Sequence, residues 1–209
     1  MHYFAYGANM DEETLKERNV SFEPVTTGKV RDVRLVFHVP GGDKTGRADL
    51  MDDRRSHVHG VVYDVPESCL AGLDVYETIE RGRYLVMIAG CNDCHTAGYA
   101  ESAGEVPESD WLQGDSLGWQ GPWGTTYATN LRLQLAAMTE DAWVSFARNL
   151  RSRPPMPWFG LDKMTDEDLR AIYAYIRKLG PAGEAAPLYL PPGEQAATPV
   201  VRWEPPPAE

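Results

Sequence analysis

Cys91, Cys94 and His95 have the types and spacing that dictate chemistry most directly. The run Cys91-Asn92-Asp93-Cys94-His95 is a C-x-x-C-H motif, the sequence sign of covalent haem attachment. Two thiols three positions apart lie on one side of a helical turn, so each can bond one vinyl arm of the same porphyrin. The adjoining imidazole then meets the iron as its proximal ligand. Without the histidine, the cysteine pair would read as a thioredoxin-like redox pair or half of a zinc site. The other cysteine, Cys69, supplies no second pair; next to Leu70 it reads as a small buried hydrophobe.

Electron-transfer haem iron usually takes a second axial ligand, and Met/His ligation raises its potential. Arg153-Pro154-Pro155-Met156-Pro157-Trp158 offers a methionine between prolines. Each proline fixes φ and removes a donor, which predicts a stiff non-helical loop able to hold a thioether at a set distance. Met156 is the expected distal ligand, while Met87, Met138 and Met164 read as core filler. The positioning elements are legible. Thr165 with Asp168 forms a capping box, Leu169, Ile172, Tyr173, Ile176 and Leu179 recur at helical spacing, and Gly180-Pro181 stops the run. A helix from Thr139 buries Trp143, Phe146 and Leu150. A short one from Gly82 to Ile88 leads into the haem motif.

From about Glu80 onward the chain resembles a bacterial class I c-type cytochrome domain. The matching stretches are Arg81-Gly82-Arg83-Tyr84-Leu85, the haem motif, Gly121 to Leu131, Met156-Pro157-Trp158-Phe159, and Met164 to Leu179. The resemblance implies an all-α fold that passes single electrons, with haem c held by Cys91 and Cys94 and iron by His95 and Met156. It also implies a redox partner protein.

The beginning of the chain has another character. Met1 to Met10 is a short aromatic strand breaking at Tyr6-Gly7-Ala8-Asn9, followed by a helical segment from Asp11 to Arg18. Backbone N–H groups beside a glycine at a helix start suit a bound carboxylate. Val30–Val39 and His57–Val65 read as strands, with glycines at 41, 42 and 46 between them. His57 and His59 share a strand face but have no third ligand nearby, so they read as ordinary strand histidines, as does His38. Leu70 to Glu77 is a short amphipathic turn ending in an acid.

Tyr6-Gly7-Ala8-Asn9, Gly60-Val61-Val62-Tyr63 and Leu73-Asp74-Val75-Tyr76-Glu77 together resemble the gamma-glutamylcyclotransferase-like (AIG2-like) family, with Ala8 in place of its usual serine. The resemblance implies that the Tyr6–Asn9 loop holds a gamma-glutamyl small molecule and that Glu77 shuttles protons. The substrate's α-amino group attacks its own γ-amide carbonyl and releases 5-oxoproline. The family's further strands are not matched after Thr78, and the cytochrome pattern begins by Glu80. The expected architecture is therefore an α+β two-domain chain. Residues 1–79 would form an incomplete cyclotransferase-type mixed sheet or small barrel, and residues 80–209 an all-α cytochrome c domain with a Pro-rich, extended tail. An electron carrier with a truncated N-terminal region is the leading expectation; a working amide lyase and an inactive chimera are the alternatives.

Of the net charge of −11 over 209 residues, −5 falls before residue 80 and −6 after it. That balance excludes nucleic acid as the expected partner and favours a redox partner with a basic face. The sequence predicts no membrane span. Met1 runs into a strand without a basic, apolar leader, which by itself predicts a cytoplasmic chain, whereas a working cytochrome c would be periplasmic.

Overall fold

The computed structural model describes residues 2–18, 20–40 and 46–203. The glycines at 41 and 42 and the prolines at 205–207 lie outside them, as do the side chains of Ala8, His38, Leu70 and Leu73. The chain divides into two compact units, residues 1–77 and 78–209.

In the first unit β1 (His2–Ala5), β2 (Glu23–Pro40) and β3 (Gly46–Asp64) form a sheet in the order β1-β3-β2. Every pairing is antiparallel, where a mixed sheet or small barrel was expected. β2 and β3 are far longer than the strands the sequence predicts. Their register shifts at Pro24/Thr26, Arg31/Val33 and Val36/Val39, and each shift resets the in–out alternation that reveals a strand. A 3-10 turn (Gly7–Met10) leads into α1 (Glu12–Glu17), capped by Asp11, whose carboxylate accepts from Thr14 N at 2.9 Å. Leu15 of α1 packs with Ala5, Val20, Tyr63 and Val65 in a small core of this unit's own.

α2 (Glu67–Ile88) is one helix of 22 residues, where a turn at 70–77 and a separate helix from Gly82 were expected. Gly82 lies inside it. A Cβ there would sit 1.9 Å from the Ala171 carbonyl oxygen, so this glycine serves a close helix crossing and not a helix start.

The second unit contains α3 (Cys91–His95), α4 (Leu131–Ala136), α5 (Glu140–Asn149), α6 (Trp158–Leu161) and α7 (Asp166–Leu179). It is not all-α. β4 (Gly118–Gly121) and β5 (Gly124–Tyr127) form a hairpin, and β6 (Val200–Arg202), from the tail, adds to β4 in parallel. α5 and α7 start where expected, their N–H groups capped by the Thr139 and Thr165 hydroxyls. The core gathers Val86, Leu112, Leu135, Trp143, Leu169 and Ile176, with Trp143 Nε1 donating to Leu169 O at 2.8 Å. Buried Arg132 donates to the carbonyls of Leu179 and Gly180, satisfying the end of α7. No helix among the described residues is long and apolar enough to cross a membrane.

Candidate functional site

α3 is a single turn that puts Cys91, Cys94 and His95 on the wall of one cavity of about 420 Å³. The rest of the lining includes Trp143, Phe146, Leu161, Ile172 and Ile176, all in or packed against the helical core. Both cysteines are free thiols. Burial, with Asp93 adding to it, pushes the Cys91 thiol up to about 11, and the same causes raise Cys94. Thiols raised in this way are protonated at neutral pH, the opposite of a thioredoxin-type pair with its lowered pKa.

His95 Nδ1 lies 2.7 Å from the carbonyl oxygen of Thr129, in the loop between β5 and α4. With its proton on Nδ1, the imidazole donates to that carbonyl and leaves the Nε2 lone pair free for a metal. Burial lowers the His95 pKa against the opposing effect of this bond, which favours the neutral, ligating form. α3 is fixed from behind: Gly114 N donates to His95 O at 2.8 Å, and the Thr96 hydroxyl donates to buried Asn92 Oδ1 and accepts from Leu112 N.

Met156 lines the same cavity, and so does Met164, which the sequence assigns to core filling. The proline loop is pinned by the Thr126 hydroxyl, which donates to Pro154 O at 2.8 Å. The residues fit a haem. An apolar cavity of small-molecule size carries two neutral thiols on one turn, an imidazole of fixed tautomer and a thioether. Among the described residues no group of three or more His, Cys, Asp or Glu side chains is placed to hold a metal ion. His57 and His59 stack edge to face, with ring centroids 5.1 Å apart, on an exposed face opposite Arg31 and Lys29.

In the first unit, the Tyr6–Asn9 segment enters the 3-10 turn, and Asn9 is buried. Asn9 Nδ2 donates to the Tyr3 hydroxyl at 2.6 Å, and its Oδ1 accepts from the Arg18 guanidinium. Arg18 also lies over the Tyr76 ring at 3.9 Å and pairs with Glu77 Oε1 at 3.8 Å. The loop and Glu77 thus meet through one guanidinium. The Glu77 side chain is 61% exposed, against 14% for Arg18. Burial, opposed by the Asn9 bond, raises the Tyr3 phenol. Arg18 and Thr129 carry no local signal that marks these roles. Arg18 merely ends a short polar helix, and Thr129 acts through its backbone.

Residues 3–112 match the family model described as gamma-glutamyl cyclotransferase, AIG2-like, and residues 77–176 match that of cytochrome c oxidase, cbb3-type, subunit III. The matches overlap over 77–112, so the first runs on through α2 and the haem motif, beyond the point near Thr78 where the sequence resemblance stops. The chain is 29% identical over 109 residues to the fructose dehydrogenase cytochrome subunit of Gluconobacter japonicus, covering 47% of this chain and 21% of that protein. It is 32% identical over 88 residues to gamma-glutamylcyclotransferase of Bos taurus, covering 40% of this chain and 47% of that one. The human gamma-glutamylcyclotransferase is 31% identical over 90 residues, 41% of this chain and 48% of its own length. The chain therefore spans less than half the length of each of these relatives. No solved structure matches it. Residues 77–176 carry a cytochrome c domain match, and with more than half of its length under the first model the chain belongs to the AIG2-like gamma-glutamyl cyclotransferase family.

Proposed function

We propose that this protein is a one-electron carrier whose cytochrome c domain, residues 80–209, follows a truncated cyclotransferase-like region, residues 1–79. One observation carries the proposal: Cys91, Cys94, His95 and Met156 line a single apolar cavity, with the His95 tautomer set by the Thr129 carbonyl. Haem c, when bound, supplies the one-electron couple. Cys91 and Cys94 would tether it, and His95 Nε2 and the Met156 thioether would be the groups that hold its iron. The aromatic and aliphatic walls exclude water, which with a Met ligand favours a raised potential. The cytochrome subunit among the relatives supports this reading. A net charge of −6 after residue 79 favours a redox partner with a basic face, and covalent haem attachment puts the loaded protein in the periplasm.

The test is to export the full chain alongside haem-maturation machinery and denature the purified protein. Haem retained through denaturation, with a reduced-cytochrome spectrum, is the expected result. Loss of all haem on denaturation would overturn the proposal, as would equal retention by the Cys91→Ser, Cys94→Ser double variant.

A second reading concerns Tyr6, Gly7, Ala8, Asn9 and Glu77, because Arg18 joins Asn9 to Glu77. In the family's chemistry Glu77 takes a proton from the substrate's α-amino group. That group attacks the γ-carbonyl, the amide C–N bond breaks, and 5-oxoproline leaves with the freed amine. A lone carboxylate does this only from a dry and fixed position, and misplacement by about 1 Å can cost a hundredfold. Glu77 is mostly exposed and already engaged by Arg18. Little or no 5-oxoproline release is expected. Clear turnover in a coupled assay, lost in Glu77→Gln, would promote the amide-lyase reading.

A further inference from the structure

The segment after α7 is tied to the haem-bearing unit at four levels. Asn130 Nδ2 donates to Ala182 O at 2.8 Å and to Glu184 O at 3.0 Å. Thr125 and Leu190 exchange both backbone hydrogen bonds, at 2.8 and 3.0 Å. Gly124, at φ +98, admits this close approach, since a Cβ there would lie 2.2 Å from Leu190 O. Farther on, β6 joins β4.

Between these ties stands Tyr189. Its hydroxyl donates to Trp123 O at 2.8 Å, which fixes the ring against the β4–β5 hairpin. The Arg153 guanidinium lies over that ring at 3.8 Å. Arg153 opens the loop that carries Met156, and the carbonyl of the next residue, Pro154, is held by Thr126 of β5. The loop is therefore gripped from two directions, and both grips are anchored on one hairpin. Thr126 binds its backbone, and Tyr189 holds its cation.

We propose that Tyr189 is a positioning residue: through Arg153 it clamps the Met156 loop to the hairpin and so sets how firmly the thioether stays on the iron. This rests on the assignment of Met156 as distal ligand. A thioether is a weak donor, so its hold depends on a loop that cannot swing away. A cation stacked on a ring restrains such a loop without a bond to the ligand itself.

The experiment uses the haem-loaded full chain and follows the long-wavelength Met–iron absorption band during titration to alkaline pH, together with the reduction potential. Tyr189→Phe keeps the ring and loses one hydrogen bond; Tyr189→Ala loses both contacts. Arg153→Gln removes the cation from an exposed position and carries the test if Tyr189→Ala does not fold. The pH midpoint for loss of the band is expected to fall by about half a unit in Tyr189→Ala and in Arg153→Gln, the scale of one exposed cation–π contact, and by less in Tyr189→Phe. The potential should fall in the same order. Midpoints unchanged in all three variants, with the band still abolished by Met156→Ala, would overturn the clamp and leave the ligand assignment standing. A shift in Tyr189→Ala without one in Arg153→Gln would overturn the route through Arg153. A band that survives Met156→Ala would overturn the ligand assignment and the clamp together.

Discussion

Asp168 shows how one side chain is tuned by its surroundings in this fold. It occupies the first turn of α7, where Arg81 Nε reaches its Oδ1 at 2.7 Å. Burial pushes its carboxyl up, but hydrogen bonds from Arg81 and Thr165 outweigh this and hold it below the usual carboxylate value. A depressed pKa in the folded state means that the unfolded chain takes up protons first on acidification. The stabilisation from Asp168 is thus complete above its ordinary value of about 3.9 and is lost as pH falls through the lower folded value. Asp168→Asn should cost about 1 kcal/mol at neutral pH, since Arg81 is largely solvated, and should flatten the acid limb of a stability–pH curve measured in urea. The two methionines of the cavity pose a sharper question at the same scale. Met156→Ala should leave haem covalently attached while abolishing the Met–iron band and lowering the potential; Met164→Ala and Met138→Ala should do neither. The opposite pattern in Met156 and Met164 would transfer the ligand role to Met164.

Among the elements, Gly82 gives the clearest mechanical prediction. Its missing Cβ leaves room for Ala171 O, where α2 and α7 cross. Gly82→Ala should therefore lower stability by about 2 kcal/mol despite alanine's better helix propensity, seen as a reduced urea midpoint at unchanged slope. Read locally, the same residue looks like a helix start, because glycine usually punctuates helices and the crossing that requires it involves a residue 89 positions away. α5 and α7 were legible because everything that defines them is local: Thr139 and Thr165 cap them, and apolar residues repeat at helical spacing between cap and stop. β2 and β3 were only partly legible, since bulges interrupt their alternation. The small sheet was not legible at all, because β6 gains its identity from β4, far away in sequence.

Over the whole molecule, the distribution of legible and illegible features follows the same division. The cavity residues from one turn, Cys91, Cys94 and His95, could be read directly, and Met156 through its flanking prolines. The Arg18 link between Asn9 and Glu77 joins residues far apart and has no sequence signature. Each unit has its own buried cluster, so the proposed two domains should give two thermal transitions. Haem loading should raise only the transition that contains the helical cluster, because a group bound to one folded state stabilises that state. One merged transition that moves as a whole on loading would count against the division. The net charge of −11 adds a kinetic expectation. Electron transfer to a basic partner should slow as ionic strength rises, whereas an uncharged oxidant should be indifferent to salt.

The parallel pairing of β6 with β4 also sets an order of events. A chain is synthesised from its N-terminus, so Cys91 and Cys94 emerge long before Val200–Arg202 exist to complete the sheet. Until residue 189 is made Arg153 has no tyrosine ring beneath it, and until residues 200–202 are made β4 lacks its second partner strand, while the thiols are already presented. On the proposed function, attachment of haem to the cysteines and completion of the sheet by β6 are thereby separated in time. A chain stopped at residue 180 should still take up haem covalently but should not acquire a stable Met–iron band, and its maturation should stall at the step that the last residues complete.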